Sequence, residues 1–258
     1  MNKRAFANHI TKWLTDYVDA IPMDGFILGV SGGVDSALVA SLCARTSKKT
    51  LLLSMPIHQS PSELLRAEKQ ITLLEASFKN VESLKIDLTS TFQELVRQFP
   101  IDVQNDTLST ANVRARLRMT SLYGIGQTNK LLVTGTGNKI EDRGIGFFTK
   151  YGDGGVDINP IGDLLKSEVY ALAEYLGVID EILVAKPTDG LWGDNRNDED
   201  QIGATYDELE WAMAYEEGNK QEKLSPREEE VLTIYRKMNR INQHKFNSIP
   251  VCDLSELR

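Results

Sequence analysis

Apolar residues along this chain fall into two kinds of pattern. Some form short, nearly unbroken runs: 26–30 (FILGV), 50–55 (TLLLSM) and 130–135 (KLLVTG), with a mixed run at 84–87 (LKID) and a weaker one at 156–159 (VDIN). Runs of this length bounded by Gly or Pro predict buried strands. Between them, apolar residues return every three or four positions. Phe6, Ile10, Trp13, Leu14, Tyr17 and Val18 predict an amphipathic first helix. Further helices are expected over 37–44, 61–78, 88–99, 107–123, 167–176 and 205–215. Ser225-Pro226-Arg227-Glu228 has the spacing of a capping box and starts the last long helix, before an irregular tail over 244–258.

Buried strands alternating with helices predict an α/β fold: a parallel five-stranded sheet with helices on both faces. Ligands in such sheets bind beyond the carboxyl ends of the strands. Two glycine-rich segments fall there, 29–36 after the first strand and 135–155 after the fourth. The polar stretch 186–203 is expected to be a loop that could cover a site. No linker divides the chain, so residues 1–258 are read as one domain.

Composition narrows the partners. The chain has 258 residues and a net charge of −8. An acidic surface disfavours broad binding to nucleic acid or to anionic membranes, though not local basic pockets. No apolar run approaches membrane-spanning length and the N-terminus has no signal-peptide core, so a cytoplasmic protein is expected. Cys43 and Cys252 stand far apart and form no metal or redox motif.

The stretch FILGVSGGVDSALVA opens the chemistry. A strand, a glycine turn and a helix make the layout of a phosphate-binding loop. Glycines let the backbone approach an anion, and loop amides plus the helix N-terminus supply partial positive charge. Ser31 and Ser36 add hydroxyl donors. No GKS or GKT follows, so this is not a Walker A loop. Asp35 would repel phosphate unless a cation lies between them, which points to Mg2+. The competing view is a plain turn in which Asp35 and Ser36 cap the helix.

SGGVDS at 31–36 resembles the pyrophosphate loop of the N-type ATP pyrophosphatases, whose members split ATP between its α and β phosphates. Two later segments narrow the resemblance. GTGNKIE at 135–141 leads to GFFTKYGDGG at 146–155, and NVRARLRM occupies 112–119. Together with Asp157-Ile158-Asn159-Pro160, Lys166, Lys186-Pro187-Thr188, the Asp198-Glu199 region leading to Gly203, Tyr206-Asp207 and His244-Lys245, in that order, they are similar to the NAD synthetase family. With no glutaminase domain expected, the resemblance is to its ammonia-dependent members, although GTGNKIE is closer to the form of glutamine-dependent and some other members. The likeness runs from about residue 5 to 253. It implies an adenine nucleotide alpha hydrolase-like, Rossmann-like fold.

What the resemblance implies is specific. ATP would be bound by Gly29, Val30, Ser31, Gly32, Gly33, Val34, Asp35, Ser36, Met55, Thr136, Lys166 and Thr188. Asp35 and Glu141 would hold Mg2+. Deamido-NAD would be bound by Arg116, Phe147, Lys150, Asp157, His244 and Lys245. Lys166 would neutralise the triphosphate, and Asp153 would guide or deprotonate ammonium. The reaction would be amidation of deamido-NAD through an adenylylated carboxylate, giving NAD, AMP and pyrophosphate, in a homodimer with the dinucleotide site at the interface. No glutaminase domain is expected, so ammonia would be free or delivered by a separate protein. Another adenylating ligase and an ATP-binding regulatory module are the alternatives.

Each residue also has a plainer reading. Lys166 could be a solvated lysine at a helix start, Met55 core filler, Glu141 a loop charge, and Phe147 and Phe148 anchors for their loop. Arg114 and Arg118 are read as solvated, because alternate positions cannot share one helix face with Arg116. His9 and His58 receive no role. Two departures from the family pattern stand out. Asn138 replaces a histidine common in ammonia-dependent members, and the stretch between Glu141 and Phe147 is one residue longer than usual.

Overall fold

The computed structural model describes residues 1–188, 197–218, 223–255 and 258. Its strands are β1 (Gly25–Gly29), β2 (Lys49–Ser54), β3 (Val81–Lys85) and β4 (Leu131–Val133). All pair in parallel, in the order β3-β2-β1-β4. The predicted fifth segment lies beside β4, joined by a parallel bridge between Thr134 and Ile158. It goes no further because the Asp157 side chain, at 2.8 Å, takes the Val133 N–H. A carboxylate there substitutes for a strand carbonyl and ends the ladder.

The helices are α1 (Lys3–Asp19), α2 (Val34–Ala44), α3 (Pro61–Ser77), α4 (Thr89–Arg97), α5 (Ile101–Asn105), α6 (Thr107–Asn129), α7 (Lys166–Tyr175), α8 (Asp180–Leu183), α9 (Asp198–Ile202), α10 (Tyr206–Glu216) and α11 (Pro226–Phe246). Successive residues of β1 face opposite sides of the sheet, as the strand period requires. Phe26 and Leu28 join the core formed with α1, α2, α3 and α7. Ile27 joins the core under α4 and α6, with Leu53, Met119, Leu122 and Val133. A third core, built by α10 and α11, includes Leu209, Met213, Leu232 and Tyr235 and buries Ile140 and Ile145.

Several boundaries differ from the pattern, each for a physical reason. β3 begins at Val81, ahead of the expected 84–87, because it is an edge strand with mostly exposed side chains. Only Val81 is buried there, so no apolar run marks it. α6 continues six residues past the expected end at 123, to Asn129. Gly126 permits this: a Cβ there would stand 3.0 Å from Ile27 Cγ2 and 3.1 Å from Leu131 O. Within the expected loop over 186–203, residues 198–202 form α9, and 189–196 lie outside the described residues.

The segment that carries Glu141 has a local form of its own. Ile140–Ile145 is a π-helical turn. One residue added to a helical turn widens it in this way, and such turns recur at functional sites. The turn is closed by left-handed Gly146 (φ 65°).

Candidate active site

The loop after β1 folds on its own hydroxyls. Gly33 N donates to Ser31 Oγ at 3.2 Å, Ser36 Oγ donates to the Gly33 carbonyl at 3.1 Å, and Ser31 N donates to Ser36 Oγ at 3.2 Å. Gly32 adopts φ 89°, and a Cβ there would meet Glu63 O at 2.4 Å. Only glycine fits that combination of handedness and contact. The helix-cap reading of Asp35 is not what the structure contains. The N-cap is Gly33, with no side-chain cap bond, and Asp35 points elsewhere.

It points to Lys166. Lys166 Nζ donates to Asp35 Oδ2 at 2.7 Å and to Glu141 Oε1 at 2.9 Å. Lys166 opens α7 and is 3% exposed, so the solvated reading of this lysine is overturned. Glu141, carried by the π-turn, also accepts from Tyr206 Oη at 2.6 Å. Asn138 ties the pair together: its Nδ2 donates to Asp35 Oδ1 at 3.1 Å and its Oδ1 accepts from Glu141 N at 3.1 Å. The Tyr206 hydroxyl lies 3.3 Å from Asp198 Oδ2 as well.

Two buried carboxylates thus share one ammonium. Burial works against the Lys166 charge, but Asp35 and Glu141 outweigh it and raise its pKa. Burial also pushes Glu141 up, yet Lys166 and the Tyr206 hydroxyl hold it below the usual carboxylate range. Asp35 is left as the less compensated partner: burial first, then the Glu141 charge, raise it despite Lys166. A site with one carboxylate in excess, oxygen donors only and the phosphate loop beside it fits a hard divalent cation. Mg2+ takes few protein ligands and completes its shell with water and phosphate oxygens.

These groups open into a cleft of about 640 Å3 at the carboxyl ends of β1, β2 and β4. The cleft brings together the loop 29–36, Met55, Thr136, Glu141, Lys166 and Thr188. Met55 is 6% exposed and serves the core beneath α6 at the same time. Arg116, Phe147, Lys150, Asp153, His244 and Lys245 line the other end. A larger hollow of about 1050 Å3 lies against α1 and shares Asp142, Phe148, Asp153 and Lys245 with the cleft. It holds none of the phosphate loop, so the chemistry is placed in the smaller space.

Around this far end the contacts are structural as much as ligand-facing. Lys245 Nζ donates to the carbonyls of Gly146 and Phe148, both at 2.8 Å. Phe148 stacks under Lys245 and against Gly154, where a Cβ would sit 2.3 Å from its ring. Phe147 packs on the third core while lining the cleft. Lys150 Nζ donates to the His244 carbonyl, and Arg116 Nε donates to the Lys150 carbonyl at 3.2 Å. Asp153 accepts from Thr149 N at 2.9 Å, and protein packed around its carboxyl raises its pKa. Asp157 is not brought into the cleft within this chain; it accepts from Val133 N and from Tyr123 Oη at 3.0 Å.

Four residues of the site carry no role in the sequence reading. Tyr206, Asn138 and Asp198 are polar groups whose importance depends on partners 60 residues or more away in the chain for Tyr206 and Asn138, and on the Tyr206 ring position for Asp198. Asp142 is the fourth. It accepts from Asn159 Nδ2 at 2.7 Å, and burial, with repulsion from Glu141, Asp153 and Asp35, pushes it up to about 8. Gly137 makes room for it, since a Cβ there would lie 2.2 Å from Asp142 Oδ2.

The two arginines read as solvated are also corrected. Arg114 lies over the Phe92 ring, 5.1 Å from its centroid. Arg118 lines the cleft and donates from Nε to the Met55 carbonyl at 3.0 Å. Positions four apart share a helix face, so Arg114 and Arg118 turn inward together while Arg116, two positions off, is exposed.

Comparison with known proteins agrees with this architecture. The profile of the family described as NAD synthase matches residues 6–248. An NH(3)-dependent NAD(+) synthetase of Methanosarcina acetivorans is 34% identical over 253 residues, covering 96% of this chain and 97% of that protein. Among solved structures, an NMN synthetase from Francisella tularensis superposes with a TM-score of 0.86 at 30% identity, over 98% of this chain and 99% of that one. An NH3-dependent NAD synthetase from Campylobacter jejuni gives 0.81 at 28% identity, over 98% and 100%.

Proposed function

The chain belongs to the NAD synthase family, and from that premise we propose that it is a ligase that uses ATP and ammonia to amidate deamido-NAD, the last step of NAD biosynthesis. The observation that carries the reading is the Asp35–Lys166–Glu141 cluster at the mouth of the SGGVDS loop. It sets two carboxylates and a buried ammonium beside the loop proposed to hold the triphosphate, which supports the reading.

The chemistry follows from charge. A carboxylate resists attack by ammonia until one of its oxygens becomes part of a good leaving group. In the first step an oxygen of the nicotinate carboxylate attacks the α-phosphorus of ATP, and the bond to the β-phosphate oxygen breaks. Loop amides over 29–36 and the Ser31 and Ser36 hydroxyls receive the departing pyrophosphate. Lys166 is already a buried donor and shifts from carboxylate to phosphate oxygens as their charge grows. Asp35 and Glu141 would hold Mg2+, which when bound neutralises phosphate charge. In the second step ammonia attacks the acyl carbon, AMP departs, and a proton is lost, with Asp153 as its proposed acceptor. Thr149 N fixes that carboxyl in place. Binding both nucleotides in one cleft supplies the orientation.

Met55, Thr136 and Thr188 are proposed for the ATP side, and Arg116, Phe147, Lys150, His244 and Lys245 for the dinucleotide. Asp157 is proposed to act across a homodimer interface, together with its exposed hydrogen-bond partner Tyr123. Ammonia is proposed to arrive free or from a separate protein. Cys43 is fully buried, which raises its thiol, and Cys252 lies exposed in the tail, so neither suits a glutaminase nucleophile. No helix among the described residues is long and apolar enough to cross a membrane.

A second acceptor has an observation behind it, the likeness to an NMN synthetase. The test is an assay with ATP, Mg2+ and ammonium against deamido-NAD and against nicotinate mononucleotide, in parallel. Our reading expects NAD, AMP and pyrophosphate in equal amounts, with the dinucleotide preferred. Preference for the mononucleotide would change the substrate. ATP binding without any pyrophosphate release would favour a regulatory module, and adenylylation of another acceptor a different ligase.

A further inference from the structure

Arg118 is a cation with no ion-pair partner among the described residues. Its Nε is held by the Met55 carbonyl at 3.0 Å, which turns the rest of the guanidinium along the cleft wall. Glu63 and Asp153 are the carboxylates whose charge it senses, and neither is within ion-pair distance. Arg114, four residues earlier on α6, adds a second positive charge on the same face. Burial and that neighbour depress the Arg118 pKa to about 10. Placing a half-buried guanidinium without a carboxylate partner costs free energy that a neutral side chain would avoid. Lys166, by contrast, is paired with the carboxylates of Asp35 and Glu141, whereas Arg118, like Arg66 and Lys245 in the same cleft, is held only by backbone carbonyls.

The position defines what would complete it. Met55 follows β2 and touches the phosphate loop, where its Cε stands 3.1 Å from the place of a Gly29 Cβ. Asn112, six residues before Arg118 on α6, accepts from Thr149 Oγ1 at 2.6 Å, and Thr149 N holds Asp153. Arg118 therefore stands between the ATP loop and the proposed acceptor end. We infer that Arg118 is an anion clamp at the junction of the two substrates, which takes a carboxylate or phosphate oxygen in a charge-assisted hydrogen bond. Its fixed planar fork, anchored through Nε, leaves the Nη groups free to bind. Of the two anions that meet there, the acceptor carboxylate carries its charge only before amidation, so the clamp would distinguish acid substrate from amide product. The inference rests on the amidation reading given above.

The experiment compares wild type with Arg118→Gln and Arg118→Lys. Binding of ATP, of deamido-NAD and of NAD is measured by calorimetry, separately from turnover. The clamp predicts that Arg118→Gln weakens one acidic ligand by about 10- to 100-fold, with Arg118→Lys recovering part of the loss. If the partner is the nicotinate carboxylate, deamido-NAD weakens and NAD, whose carboxamide is neutral, does not. If it is a phosphate of ATP, ATP weakens instead. Unchanged binding of both in Arg118→Gln would overturn the inference, as would equal losses in both variants together with a fall in thermal stability. Turnover absent in the wild type, with binding still dependent on Arg118, would refute the reaction and leave the clamp standing. No binding to the wild type would refute both.

Discussion

At the scale of single residues, the site works by unequal compensation. Asp35 and Glu141 share Lys166, and the Tyr206 hydroxyl gives Glu141 a further donor. Tyr206→Phe removes that donor while keeping the ring that packs 4.7 Å from Lys166 Nζ. A hydrogen bond to a buried charge is worth about 1.5–3 kcal/mol. The variant should therefore need about tenfold or more additional Mg2+ for half-maximal activity, read from a magnesium titration of turnover. An unchanged titration would show that Tyr206 only fills space. Lys166→Met should lower kcat by about 100-fold or more and leave ATP binding largely intact, because the loop amides remain. These pairings were out of reach in the sequence. Asp35, Glu141 and Lys166 were legible because each sits in a recognisable motif, whereas Tyr206, Asn138 and Arg118 matter through partners set by the fold.

At the scale of elements, local geometry carries the site. Gly32 is required twice, by φ 89° and by the 2.4 Å approach of Glu63 O. Gly32→Ala should cost about 1–3 kcal/mol and displace the loop amides, seen as a lower Tm with weaker ATP binding. The π-turn that carries Glu141 is braced by α10 and α11, and these are clamped by Arg227. Its guanidinium donates to both Glu208 carboxylate oxygens, at 2.7 and 2.8 Å, and to the Gly203 carbonyl at 3.1 Å. Glu208 also closes the Thr205 capping box. Its pKa is lowered to about 2, chiefly by the Arg227 hydrogen bond. A depressed folded pKa contributes stability above the ordinary carboxylate range and loses it as pH falls through the folded value. Glu208→Gln should thus be less stable than wild type by about 1 kcal/mol at neutral pH, and the gap should narrow between about pH 4.5 and pH 2. A gap independent of pH would remove the charge from the explanation. The strands and most helices were legible because their apolar periods match their burial. The edge strand β3 and the π-turn were not: the first has almost no buried face, and the second differs from an α-helix by a single inserted residue.

At the scale of the whole molecule, the sheet edge gathers segments more than a hundred residues apart. The SGGVDS loop, the GTGNKIE turn and the start of α7 meet only because β1 and β4 are neighbours in a parallel sheet. The acidic net charge of −8 then makes local cations decisive. The proposed homodimer belongs to this scale. Leu108, which lines the cleft, and Tyr151, which follows the cleft residue Lys150, are 58% and 59% exposed. Sedimentation should give twice the 28.8 kDa of the chain, and Tyr151→Asp should dissociate the assembly and weaken deamido-NAD more than ATP. A monomeric wild type with full activity would remove the interface from the account.

The central claim is that the nicotinate carboxylate is adenylylated before ammonia reaches it. It is tested most directly by following one atom. Deamido-NAD labelled with 18O in both carboxylate oxygens is converted with ATP, Mg2+ and ammonium, and the products are weighed by mass spectrometry. The account predicts that one labelled oxygen appears in AMP and one stays in the carboxamide of NAD, with unlabelled pyrophosphate. Label in ADP or phosphate, or AMP formed without label, would contradict it.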